Sequence, residues 1–285
     1  MREKWQASSI NYTNTERTDD MLFNLKEGKI KISAGEIDYI AFGNGERPLV
    51  MIQGLNTRGI KGSGLGLALM YRIFATHFRV YLFERRPIVT DTTTVREMAS
   101  DVAEAMDAFG LKDACILGVS QGGMIAEYLA IDRPDLVEKM ILAVTSSRNN
   151  ETVISTINRW IELTENSDFR GLVYDMAEKM YSENYIKKYR LMLPILTILQ
   201  RPKDAERFIN LARSCLTCEA YAELSRVRCK SLVIGGGKDK IVGAEAAEET
   251  AKKLGCEAII YENLGHAAYE ESPEFLVDVY DFFVD

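Results

Sequence analysis

The chain has 285 residues, 47% of them apolar, enough for one large core or a core carrying an inserted subdomain. Its formal net charge is −7 with acidic and basic residues interspersed and no Lys/Arg-rich tract, which argues against a nucleic-acid partner. No apolar run reaches membrane-spanning length, and five irregularly spaced cysteines do not make a disulfide framework. A reducing, cytoplasmic compartment with no membrane partner is the expectation.

Residues 1–28 read as an N-terminal extension. Met1 to Asp20 lacks the apolar core of a signal peptide. The polar stretch Ser8 to Thr15 reads as loosely ordered or draped on the surface, with Trp5 a candidate anchor. From Lys29 the pattern changes. Lys29 to Ser33 alternates apolar and polar, Ala34-Gly35 turns, and Glu36 to Phe42 alternates again, so a half-buried antiparallel pair is predicted. Leu49 to Ile52 is the first of several short, continuous apolar runs, the pattern of parallel strands covered on both faces. The loop Gln53-Gly54-Leu55-Asn56 comes after it. A further run, Arg79 to Phe83, leads into Glu84-Arg85-Arg86-Pro87.

Thr94-Val95-Arg96-Glu97 is a capping box, opening a helix that closes at Phe109-Gly110. Its stripe of Val95, Met98, Val102, Met106 and Phe109 is a core face. Ala114 to Leu117 then predicts a strand and Met124 to Ala130 a helix, with Gly118-Val119-Ser120-Gln121-Gly122 at the turn between them. Gly-x-Ser-x-Gly in that setting is a nucleophile elbow, which presents a serine hydroxyl from a strained turn. From Ser147 to Arg228 strand signals stop. Helical segments take over, clearest at Val153–Leu163 and Phe169–Tyr181, with Pro194 and Pro202 punctuating the second half of the stretch. Cys215-x-x-Cys218 lies in this stretch without a second pair or a nearby histidine, so it reads as structural. Ser231 to Ile234 restarts the strands, Glu257 to Tyr261 is the last of them, and Ser272-Pro273 opens a final helix with Phe275, Leu276, Val279 and Phe282 facing inward. Alternating strands and helices imply a doubly wound, mostly parallel α/β sheet.

A serine hydroxyl is a weak nucleophile until a base takes its proton and a third group orients that base. The chain has two histidines. His77 precedes a strand, at the wrong end for a parallel sheet, whereas His266 comes after one, in the loop Glu262 to His266. His266 is therefore the candidate base. The candidate orienting acid is Asp239, in the exit loop Gly235 to Asp239. A solvated charged turn beside Lys238 and Lys240 is the competing reading there. Glu262, Glu270 and Glu271 read as exposed carboxylates. Two backbone N–H groups are candidates for an oxyanion hole: that of Gln121 at a helix N-terminus, and that of Leu55 beyond the permissive Gly54. No metal or organic cofactor is required by this set. Arg58, Lys61, Arg85, Arg86, Arg148, Lys238 and Lys240 all fall in strand-exit loops, and suggest either an entrance suited to an anionic substrate or ordinary solvated charge.

With Ser120, Asp239 and His266 in that chain order, the sequence from about Lys29 onward resembles the α/β-hydrolase superfamily, in its cap-bearing esterase and carbon–carbon-bond hydrolase kind. The resemblance implies an α/β-hydrolase sheet with an inserted helical cap: core at residues 29–146 and 229–285, cap at 147–228. It implies a Ser120–His266–Asp239 triad and an oxyanion hole of the Leu55 and Gln121 amides. Two departures stand out. The family usually has His-Gly where this chain has Gln53-Gly54, and an Asp-x-Arg-Gly turn where it has Glu84-Arg85-Arg86-Pro87. The expected activity is hydrolysis of a small-molecule carboxylic ester or thioester through an acyl-enzyme. The alternatives are a carbon–carbon-bond hydrolase of a diketone-type acid and a ligand sensor on the same fold.

Overall fold

The computed structural model describes residues 23–285. Trp5 and the stretch Ser8 to Thr15 lie outside them. An eight-stranded sheet runs through the molecule in the order β1-β2-β4-β3-β5-β6-β7-β8. β1 (Lys26–Ile32) and β2 (Gly35–Phe42) pair antiparallel, and β2 pairs antiparallel with β4 (Phe78–Phe83). The remaining strands, β3 (Arg47–Ile52), β5 (Ala114–Val119), β6 (Val137–Ala143), β7 (Lys230–Gly236) and β8 (Glu257–Tyr261), run parallel with β4. The fold is thus the doubly wound, mostly parallel sheet that the alternating pattern predicts. β1 begins at Lys26 rather than Lys29. Its first residues are polar and exposed, and they pair because Tyr39, Ile40 and Ala41 on β2 carry the register.

Helices cover both faces. On one side α2 (Val95–Ala108), α3 (Gln121–Asp132) and α9 (Ala246–Leu254) close over Val50, Ile52, Ile116, Leu142 and Val233. On the other, α1 (Gly64–Met70) and, after the short α10 (Ala268–Glu271), α11 (Phe275–Val284) pack with Phe42, Phe74, Phe78 and Phe283. The α2 capping box forms in full: Thr94 Oγ1 accepts the Glu97 N–H at 3.1 Å, and Glu97 Oε2 accepts the Thr94 N–H at 2.8 Å. α3 is buried on every side, which its uniform apolarity requires, except that Glu127 is buried with it. α11 starts later than Ser272-Pro273 suggests. Glu274 is its N-cap, while Ser272 Oγ accepts the Glu274 N–H at 3.2 Å. Phe275, Val279 and Phe283 are its buried face, with Leu276 and Phe282 half-buried at the margin.

Between β6 and β7 the chain is helical: α4 (Glu151–Glu165), α5 (Phe169–Met180), α6 (Glu183–Tyr189), α7 (Leu193–Leu199) and α8 (Ala205–Cys215), closed by a 3-10 turn over Ala220–Arg226. Asn150, Asp168, Ser182 and Asp204 cap four of these with side-chain oxygens, so polar residues at the joints divide the insertion into short helices. α8 is tied to the loop after β4 through Arg207, which donates to the Arg86 and Pro87 carbonyls at 2.8 and 3.0 Å, and through Asn210, which donates to Val89 O at 2.9 Å. α7 instead presents Ile195, Ile198 and Leu199 to solvent. Among the described residues no helix is long and apolar enough to cross a membrane.

Candidate active site

β3 and β5 are neighbours, and the strand order turns outward on either side of them. Their carboxyl ends therefore flank a switch point, where parallel α/β sheets gather their chemistry. Ser120 lies at the exit of β5 with φ 54° and ψ −122°, outside the helix it caps. Two hydrogen bonds hold that conformation: Ser120 N–H to Ala143 O at 2.9 Å, and Thr145 Oγ1–H to Ser120 O at 2.8 Å. The turn is only open to glycine at residue 122, where a Cβ would stand 1.9 Å from the Ile52 carbonyl oxygen.

The exit loops of β7 and β8 bring the other two groups. His266 Nε2 is 2.9 Å from Ser120 Oγ, and His266 Nδ1 is 2.8 Å from Asp239 Oδ2. The second carboxylate oxygen of Asp239 accepts the N–H groups of Ile241 and Val242 at 2.8 and 3.0 Å, which fixes the plane of the group. With a carboxylate against Nδ1, the proton of the neutral ring belongs there and Nε2 is left to face the hydroxyl. Both side chains are almost wholly buried, at 4% and 2% exposed, so this line of contacts runs out of water. The competing picture of Asp239 as a solvated turn residue does not fit this burial. Lys238 and Lys240 point outward and Asp239 inward.

On the facing side the β3 loop lies directly over the serine. A Cβ on Gly54 would sit 3.1 Å from Ser120 Cβ, so the glycine permits the approach that puts Leu55 next along the same loop. Gln121, the first residue of α3, is buried at 1% exposed. The candidate residues Ser120, Asp239, His266, Leu55 and Gln121 therefore all belong to one cluster of loops. His77 does not. Its Nδ1 pairs with the Tyr280 hydroxyl at 2.8 Å, near the opposite end of the sheet.

Several expected surface charges have partners. Arg86 is bound by Asp101 at 2.7 Å, and Arg148 by Glu249. Arg85 is buried outright, at 5% exposed. Of the carboxylates read as exposed, Glu262 and Glu270 are exposed and Glu271 is half-buried; Glu270 accepts the Tyr181 hydroxyl at 2.6 Å, and Glu271 accepts both Ser182 N–H at 2.8 Å and the Ser182 hydroxyl. Ala267 N–H adds a bond to Met180 O at 2.8 Å. The α5–α6 junction is thereby fastened to the segment just after His266. Burial, with the charge of Glu270 added, pushes the Tyr181 phenol well up. Lys238 and Lys240 join Lys179 around an open cleft of about 750 Å³ between this junction and the β7 and β8 loops.

The burial of three polar side chains, Arg85, Gln121 and Glu127, had no sequence signal. Arg85 and the Gln121 side chain act through contacts dozens of positions away. Glu127, nearly two turns into α3, is fully buried and bonded by Ser147 Oγ–H at 2.6 Å, and burial pushes its carboxyl up to about 8. Cys215 and Cys218 are buried, unpaired thiols beside Gln121 and Glu127, and burial raises Cys215 to about 11.

Comparison with known proteins agrees with this architecture. A family model described as alpha/beta hydrolase fold matches residues 47–273. A putative carbamate hydrolase RutD of Caulobacter sp. (strain K31) is 22% identical over 69% of this chain and 76% of its own length. 3-Oxoadipate enol-lactonase 1 of Acinetobacter baylyi is 22% identical over 73% and 79%. A pimeloyl-[acyl-carrier protein] methyl ester esterase of Neisseria meningitidis serogroup B is 28% identical over 65% and 75%. Among solved structures, the enol-lactonase from Burkholderia xenovorans LB400 superposes with a TM-score of 0.77 at 17% identity, covering 90% of this chain and all of the other. With the elbow, the sheet order and the matched span in agreement, the chain belongs to the alpha/beta hydrolase fold family.

Proposed function

We propose that the chain is a serine hydrolase acting on a small-molecule carboxylic ester or thioester through an acyl-enzyme, with α4–α8 as its cap over residues 147–228. The observation that carries this reading is the unbroken line of short contacts from Ser120 Oγ through His266 to Asp239, with the strained elbow at one end. The ester bonds named in the enol-lactonase and the methyl ester esterase support the substrate class.

Each step uses a group already in position. His266 Nε2 takes the hydroxyl proton as Ser120 Oγ attacks the carbonyl carbon. Asp239 keeps the ring in the tautomer that can do so, and stabilises the imidazolium that forms. The amides of Leu55 and Gln121 receive the oxyanion. His266 then passes its proton to the leaving alcohol or thiol, and the same nitrogen activates water to release the acid. The cap limits water around the relay, which strengthens each of these interactions. Fluorophosphonate labelling and then peptide mapping test the nucleophile, with Ser120 the expected modified residue. A panel of aryl esters and thioesters of graded acyl length tests the reaction. Sustained turnover after the acylation burst is expected. One slow event per molecule would indicate a sensor, and labelling elsewhere would overturn the assignment of Ser120.

A further inference from the structure

The loop after β4 departs from the pattern usual in the family, and the structure puts a buried cation there. Arg85 donates from Nη2 to the Gln53 carbonyl oxygen at 2.5 Å and from Nε to Gln121 Oε1 at 3.4 Å. Among the described residues it makes no ion pair. The neighbouring Glu84 carboxylate is taken by the N–H groups of Arg85 and Ile60 at 2.8 and 2.7 Å. An unpaired, desolvated guanidinium is costly, so its two bonds indicate what it is kept for.

Both bonds end on the segments that carry the oxyanion donors. Gln53 precedes Gly54, the most easily rotated residue of the β3 loop. Because a peptide unit is planar, anchoring the Gln53 carbonyl sets the plane that enters Gly54, and with it the course of the chain to Leu55. Gln121 supplies the other donor from its backbone. Its side-chain oxygen meets Arg85, and its side-chain N–H groups reach Leu211 O at 2.8 Å and Ser214 Oγ at 3.2 Å on α8. The buried Gln53 side-chain Nε2 has no hydrogen-bond partner among the described residues.

We propose that Arg85 is the positioning residue of the oxyanion hole, tying the Gln53 carbonyl to the Gln121 side chain so that the N–H groups of Leu55 and Gln121 converge on one point. Burial pushes its guanidinium down to about 10, which still leaves the cation in place at neutral pH. The inference rests on the reading of Ser120 as nucleophile and adds the group that aligns its oxyanion donors.

The test uses the full chain and an aryl ester. Arg85→Met fills similar volume without charge, and replacing a buried cation by an apolar group is commonly tolerated. It should lower kcat by about 10- to 100-fold, somewhat less than deleting a donor, with KM moving by less than about threefold. Affinity for phenylboronic acid, whose serine adduct is tetrahedral, should fall in proportion to kcat. Free guanidinium should restore part of the rate of Arg85→Ala and none of that of Arg85→Met. Asn210→Ala loosens the same loop from α8 at Val89 without touching Arg85, Gln53 or Gln121, and should leave kcat within about twofold. An Arg85→Met enzyme with wild-type kcat, or one whose loss spares boronate affinity, would overturn the proposal. Absence of wild-type labelling at Ser120 would instead overturn the underlying reading, so the two failures are distinguishable.

Discussion

At φ 54° and ψ −122°, Ser120 occupies backbone space that costs a residue with a side chain about 1–3 kcal/mol. Removing the side chain should return part of that cost. Ser120→Gly is expected to abolish turnover while raising stability by about 1 kcal/mol, read as a Tm rise of about 2–4 °C in a scanning melt. A second residue-scale effect concerns Glu127. A carboxyl raised to about 8 holds its proton more tightly in the folded chain than in the unfolded one. Its favourable contribution is complete below the ordinary carboxylate range and is lost as pH climbs toward 8. Urea unfolding should therefore find the wild type weakening between pH 5 and pH 9 relative to Glu127→Gln, by on the order of 2–4 kcal/mol. The triad candidates are legible in the sequence because each sits at a strand exit with its own local pattern. Arg85 and Glu127 are not, because a charged residue in a loop or on a helix normally faces water. Only the packing of α3 and α8 reveals that these do not.

Elements were most readable where local chemistry alone forms them. The Thr94–Glu97 capping box needs only four residues, and the β1–β2 alternation only a hairpin. What escaped were connections between elements. Glu270 is exposed and Glu271 half-buried, and both still hold the α5–α6 junction through Tyr181 and Ser182. This staple lies next to His266, so it seats the helical insertion against the proposed base. The double variant Tyr181→Phe/Ser182→Ala weakens the staple and keeps both carboxylates. Expected is a several-fold rise in KM with kcat lowered by less than about tenfold, measured by steady-state turnover of an aryl ester. Loss of kcat alone would show that the junction acts on the chemistry and leaves substrate retention untouched.

Across the whole molecule the charge is −7, yet three lysines surround the cleft of about 750 Å³ beside Asp239. The wider set of exit-loop cations thins once the chain is folded, because Arg85, Arg86 and Arg148 are buried or paired. Lys238 and Lys240 remain at the rim, where Lys179 is paired with Asp175 at 3.1 Å and Glu183 also lines the cleft. A local positive field in an acidic protein should attract anions at low ionic strength and fade as the Debye length shrinks. The ratio of kcat/KM for a carboxylate-bearing aryl ester to that for its neutral analogue should fall by about threefold or more from low to high salt. In Lys238→Ala/Lys240→Ala that dependence should largely vanish. A flat ratio in the wild type would reduce these lysines to surface decoration. The fold could be read at this scale because the strand-and-helix rhythm is global. The lysine grouping could not, since Lys179 meets the other two only after the insertion folds back.

The helical insertion is held unevenly. α8 is fixed through Gln121, Arg207 and Asn210, and the end of α5 through Glu270 and Glu271, while α7 shows solvent an apolar side and the residue after it, Gln200, reaches Thr57 beyond the β3 loop at 3.4 Å. The stretch between Ser182 and Pro202 is then the loosely tied span of the insertion, with a fixed segment on either side. Brief protease treatment should nick this span before any other part of residues 23–285.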